Sequence, residues 1–119
     1  MTKWSIDYYT TPEGFCPVEV YLRTIPAEQA AQVLRKIDLL EALGTGLREP
    51  HARHLDGKLW ELRVTGRNAH RVIYFTVHGG RFVLLHAFLK TTEKTPGREL
   101  SIAESRMTEY LGRMSRGAT

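Results

Sequence analysis

The chain has 119 residues, 42% hydrophobic and 25% charged, with a formal net charge of +4 and a pI near 9.5. That length suits one domain spanning 1–119, able to bury a core without covalent staples, and the single cysteine, Cys16, excludes an internal disulfide and any cysteine-based zinc motif. No stretch approaches the ~18 apolar residues of a membrane span and the amino-terminal segment has no apolar signal core, so a soluble protein of the reducing cytoplasm is expected.

Trp4–Thr10 alternates, with Trp4, Ile6 and Tyr8 opposite Ser5, Asp7 and Tyr9, and predicts a first strand. Thr11-Pro12-Glu13-Gly14 ends it. A short helix is expected over Cys16–Thr24, where Pro17 suits a first turn and Val18, Tyr21 and Leu22 share a face. Pro26 then opens what reads as the longest helix, with Ala30, Val33, Leu34, Ile37, Leu40 and Leu43 as its apolar stripe, stopped by Gly44 and Gly46.

Leu47–Gly57 has no period and is expected to be a loop carrying Arg48, His51, Arg53 and His54. Three strands follow, Lys58–Thr65, Ala69–His78 and Arg81–Lys90, joined by Gly66-Arg67-Asn68 and Gly79-Gly80, whose composition suits tight hairpins. Alternation sets Glu61, Arg63 and Thr65 against Trp60, Leu62 and Val64, and Arg71, Ile73 and Phe75 against His70, Val72 and Tyr74. In the third strand Phe82, Leu84, His86, Phe88 and Lys90 oppose Val83, Leu85, Ala87 and Leu89, and apolar residues on both faces predict a strand covered twice. A final helix is expected after Thr95 as N-cap and Pro96, running through Leu100, Ala103, Met107, Tyr110 and Leu111 to Met114, with 115–119 frayed. The fold class is therefore α+β: an antiparallel sheet of about four strands covered by two N-terminal helices and a C-terminal helix.

The positive charge is concentrated. Residues 48–98 hold ten of the 17 Lys and Arg against four Asp and Glu, and all five histidines. A basic sheet with an open face suits a polyanion, above all RNA. Metal chemistry finds no support, because His51 and His54 lack accompanying ligands and Glu61 is the only carboxylate in the three strands. RNA can be cut without metal when its own 2′-hydroxyl attacks the phosphate, which needs a proton acceptor, cations for the developing charge and a donor for the leaving oxygen. Arg63, Arg71, Lys90 and Lys94, with His54 or His86 nearby, supply those types, and Arg48, Arg53, His54, Lys58, Arg67 and His86 are candidate RNA-binding residues. Glu61 reads as an ion-pair partner that orients an arginine, and His86 as a hydrogen-bonded buried histidine.

The motifs LWELR (Leu59–Arg63), HRVIYF (His70–Phe75), HAFLK (His86–Lys90) and KTP (Lys94–Pro96), in this order, resemble the phage-derived HigB-like branch of the RelE/ParE toxin superfamily. The resemblance implies a type II toxin that cleaves translated mRNA at the ribosome without cofactor or metal, inhibited by a cognate antitoxin of helix-turn-helix type. It also implies that Arg63 and Arg71 bind the scissile phosphate while Lys90 or Lys94 acts in proton transfer or phosphate positioning. Where the family carries paired lysines this chain has Lys90-Thr91, and Tyr110 lies on a core face. A ParE-like inhibitor of DNA gyrase and a non-catalytic RNA-binding module are the alternatives.

Overall fold

The computed structural model describes residues 4–66, 68–92 and 94–117. Its elements run β1 (Ser5–Tyr8), α1 (Pro17–Thr24), α2 (Ala27–Leu43), a 3-10 turn (Gly44–Gly46), β2 (Ala52–Asp56), β3 (Leu59–Val64), β4 (His70–Val77), β5 (Arg81–Leu89) and α3 (Gly97–Gly117). The strands form one sheet in the order β1-β5-β4-β3-β2. Every neighbouring pair is antiparallel except β1 and β5, which are parallel, with Ile6 opposite Phe82. This is the expected small α+β class.

The two sheet faces bury separate apolar clusters. Helices α1 and α2 cover one, where Val18, Val33, Ile37 and Leu40 meet Leu62, Val64, Val72, Tyr74, Phe82 and Leu84. Helix α3 covers the other, where Ala103 and Tyr110 meet Leu59, Ile73, Phe75, Val83, Leu85 and Phe88. Among the described residues neither face of the sheet is open throughout, so the expected open binding face gives way to an edge.

That edge is β2, which the sequence hides. Its residues Ala52, Arg53, His54 and Asp56 pair with Leu62, Glu61, Trp60 and Leu59, and the register slips between His54 and Asp56. An edge strand needs one ladder of hydrogen bonds and one buried side chain, here Ala52, so it shows little apolar alternation, and the slip erases what remains. The sheet thus has five strands, not about four.

A second irregularity, between Ile73 and Tyr74 of β4, sets His86 opposite Ile73 and Leu84 opposite Tyr74. The extra residue on β5 reverses its facing. Phe82 and Leu84 pack with Ala87 under α1 and α2, whereas Phe88 packs with Val83 and Leu85 under α3. Strict alternation would put Phe88 with Phe82, and the bulge is the reason it does not.

The helices differ in detail. The longest is α3, with 21 residues against 17 in α2. In α2 the buried positions are Val33, Ile37 and Leu40, while Leu34 and Leu43 at the margins of the stripe are exposed. Helix α3 continues through Gly117, so 115–117 are helical, and 118–119 lie outside the described residues. Pro96 O accepts the first helical bonds, from Glu99 N and Leu100 N, leaving the Thr95 hydroxyl free of the capping role. Gly44 ends α2 at φ 58°, and a Cβ built there would sit 2.0 Å from Trp4 Cε2, so both conformation and space demand glycine.

Candidate functional site

Cross-strand register assembles the site. Glu61 and Arg63 alternate on β3 toward the α3 side, and Arg71 faces Arg63 directly across the β3-β4 pair. Two cations side by side need an anion, and Glu61 supplies it: Oε2 lies 3.7 Å from Arg71 Nε and 3.9 Å from Arg63 Nε. Glu61 and Arg71 are each 3% exposed. The Arg71 guanidinium also donates to His70 O at 3.2 Å and, at longer range, to Val64 O. Arg71 is therefore an interior cation, more deeply covered than its cross-strand neighbour Arg63.

Arg63 is 17% exposed and lies 3.8 Å from Glu49 Oε1. Its Nε is buried with no hydrogen-bond partner among the described residues. An unmet buried donor costs about 1–3 kcal/mol.

Beside this pair opens a cleft of about 410 Å³, lined by Arg53, His54, Leu55, Glu61, Lys94, Thr95 and Leu100. It lies where the β2 edge meets the segment entering α3. The Thr95 hydroxyl donates to Glu61 Oε1 at 2.9 Å, which ties that segment to β3. Arg53 and Lys94 are exposed there, so the cleft has a cationic mouth above a neutralised carboxylate and two leucines. A second cleft, of about 750 Å³, is lined by Thr45, Leu47, Arg48, Glu49, Ala52, Arg53, His54 and Trp60. Arg53 and His54 border both.

Lys90 follows β5, is half-buried, and its backbone N donates to Ala69 O at 2.9 Å. Lys58 is in the β2-β3 turn, at the opposite end of β3 from Arg63, about 17 Å away at the usual rise per residue. Arg67 lies outside the described residues.

His86 is withdrawn. Its Nε2 is 2.6 Å from Glu99 Oε1 and its Nδ1 is 3.1 Å from Arg106 Nη1. A guanidinium only donates, so Nδ1 accepts and the ring proton is on Nε2, given to Glu99. Burial lowers the His86 pKa, a change that the Glu99 hydrogen bond opposes and the Arg106 charge reinforces. A neutral, doubly bonded imidazole results, as expected from its place among apolar neighbours. Glu99 and Arg106 were not readable as its partners, since only the bulge in β5 turns His86 toward α3. Thr95 and the leucines of the clefts are likewise invisible to a reading that begins from charge.

Among the described residues no three His, Cys, Asp or Glu side chains gather as a metal site, and no helix is long and apolar enough to cross a membrane.

The fold and cleft define a small basic α+β domain with its cations at a sheet edge. Residues 20–108, about three quarters of the chain, match the family model described as Phage derived protein Gp49-like (DUF891), and the chain belongs to that family. The family is associated with RelE-like toxins and is compatible with a toxin of a toxin–antitoxin system. A comparison with curated proteins finds no match.

Proposed function

We propose that this protein is the toxin of a type II toxin–antitoxin pair, of the HigB-like branch, and that it cleaves translated mRNA at the ribosome by metal-independent attack of the 2′-hydroxyl. The observation that carries the reading is the cleft over Glu61 with Arg53 and Lys94 at its mouth, where Glu61 also lies 3.9 Å from Arg63 Nε. Arg63 and Arg53 neutralise the scissile phosphate as charge builds on it. The attacking 2′-hydroxyl loses its proton to solvent water in the open cleft as the P–O2′ bond forms, the Lys94 ammonium gives its proton to the 5′-oxygen as the P–O5′ bond breaks, and Lys90 adds positive potential from the end of β5. Arg71 is a positioning residue: it holds Glu61, which in turn fixes Arg63 and Thr95. The partner implied is a cognate antitoxin, of helix-turn-helix type, that occludes the cationic edge with acidic or apolar surface.

The test is to induce the protein in cells and map new 5′ ends on mRNA. Codon-phased ends that vanish with Arg63→Ala and weaken with Lys94→Ala support the reading. Double-strand DNA breaks without new RNA ends would overturn it in favour of gyrase inhibition. Growth arrest with neither would leave RNA binding without cleavage.

A further inference from the structure

The second cleft combines features that the cleavage chemistry does not use. It is on the α2 side of β2, because His54 pairs with Trp60, and Trp60 packs with the cluster under α1 and α2. The His54 and Trp60 rings meet at 5.2 Å between centroids and 65° between planes. His54 is exposed and Trp60 half-buried, so the pair presents an aromatic corner to solvent. The position of His54 is fixed by its Nε2, 2.8 Å from Gly57 O. A carbonyl only accepts, so Nε2 carries the proton and the ring is braced from within its own hairpin.

Cations border the same corner. Arg48 and Arg53 are both exposed on the cleft wall. Glu49 also lines it, 4.0 Å from Arg53 Nε, but its side chain is 65% exposed and this ion pair is screened by water. Aromatic faces beside a basic groove are how single-stranded nucleic acid is held without reading sequence: every base has a face to stack and every linkage a charge.

We propose that this cleft is a stacking subsite for one nucleobase of single-stranded RNA, held on the His54–Trp60 corner with its flanking phosphates on Arg48 and Arg53. Arg53 borders both clefts, so the strand passes over the β2 edge, with the stacked nucleotide on the α2 side and the scissile phosphate on the α3 side. The proposal rests on the reading of the chain as an RNA-binding protein, and not on cleavage. A volume of about 750 Å³ accommodates a nucleotide.

The test uses the full chain and a short 2′-O-methyl RNA, which lacks the attacking hydroxyl and so reports binding alone. Binding is followed by the indole N–H resonances of the two tryptophans. Trp60 should shift more than Trp4, whose indole lies against Gly44, the neighbour of Thr45 on the cleft wall. Trp60→Phe should keep most of the affinity and Trp60→Leu should lose about tenfold or more. His54→Ala, at an exposed position that leaves the core alone, should weaken binding in the same direction. Arg48→Ala should lower the salt slope by roughly 0.7, the value for one phosphate contact on a single strand.

An oligonucleotide with abasic sites should bind without moving Trp60. The proposal is overturned if His54→Ala and Trp60→Leu bind as the wild type does, or if abasic and intact strands shift Trp60 equally. Equal binding and an equal Trp60 shift with a poly-glutamate peptide would overturn it too, by making an acidic protein segment the occupant. Cleavage in cells with no Trp60 response defeats the subsite alone. A Trp60 response in a protein that cuts no mRNA defeats the nuclease reading and leaves the subsite standing.

Discussion

Arg71→Ala removes a guanidinium from a position that is 3% exposed and leaves Glu61, equally buried, with its nearest cation gone. Breaking a buried pair from one side costs about 3–5 kcal/mol, because the remaining charge keeps its desolvation penalty, here with only Arg63 at 3.9 Å and the Thr95 hydroxyl to offset it. The carbonyls of His70 and Val64 also lose a donor, although the 3.5 Å contact to Val64 contributes little. Set against the ~5–15 kcal/mol by which a domain is stable, this is a large share. At about 4 °C per kcal/mol for a domain near this size, the melting temperature should fall by roughly 12–20 °C. Circular dichroism during heating and urea titration of the purified variant measure it. The companion Glu61→Gln/Arg71→Met removes both charges and should recover at least half of the loss. A single variant melting within about 3 °C of the wild type, on the same scale, would refute the interior-cation reading and return Arg71 to the phosphate. Alternation alone makes Arg71→Ala look like a harmless probe of catalysis. Its burial makes Arg63→Ala the cleaner one.

Two further outcomes follow from particular contacts. Gly44→Ala must place a Cβ where Trp4 lies, at a φ of 58°, and should cost about 1–3 kcal/mol with a change in Trp4 fluorescence; Trp4→Ala in the same chain should relieve the collision but not the backbone strain. His70 is buried, its Nδ1 2.6 Å from the Tyr21 hydroxyl and its Nε2 2.7 Å from Gln29 Oε1, and burial lowers its pKa. A depressed histidine pKa means that the unfolded chain binds the proton more tightly, so stability is fully present above the unfolded value of about 6.5 and declines as pH falls through it toward the folded pKa. Urea midpoints between pH 8 and pH 5 should show this decline, and His70→Gln should flatten it. Unchanged slope in that variant would assign the effect to His86, whose pKa burial also lowers.

Much of the fold is legible because its signals are local. Pro17 at the start of α1, Gly44 after α2, and the apolar runs of β3, β4 and β5 each act within a few residues. Glu61 as the partner of an arginine is legible too, since it is the only carboxylate in those strands. What escapes is whatever depends on partners distant in sequence. Ala52–Asp56 becomes a strand only because β3 offers it a ladder, and its charged side chains make it resemble a loop. The burial of Arg71 is equally silent, because alternation names the side of the sheet and not the depth of cover above it. Thr95 reads as a helix cap by position, yet 34 residues separate it from Glu61, whose carboxylate takes its hydroxyl.

The parallel pairing of β1 with β5 bears on the order in which the chain can assemble. The strand at Ser5–Tyr8 has no place to dock until Arg81–Leu89 exists, and Tyr9, Asp7 and Thr10 then bond to Glu109, Tyr110 and Arg113 across about a hundred residues. The β2 to β5 meander closes through short hairpins and can form early, whereas the N-terminal strand must wait for nearly the whole sequence. During synthesis the cationic edge can therefore take shape on a meander whose α3 face is still bare. Closure of the two ends is the step that hides this apolar surface and turns a sticky intermediate into a finished protein.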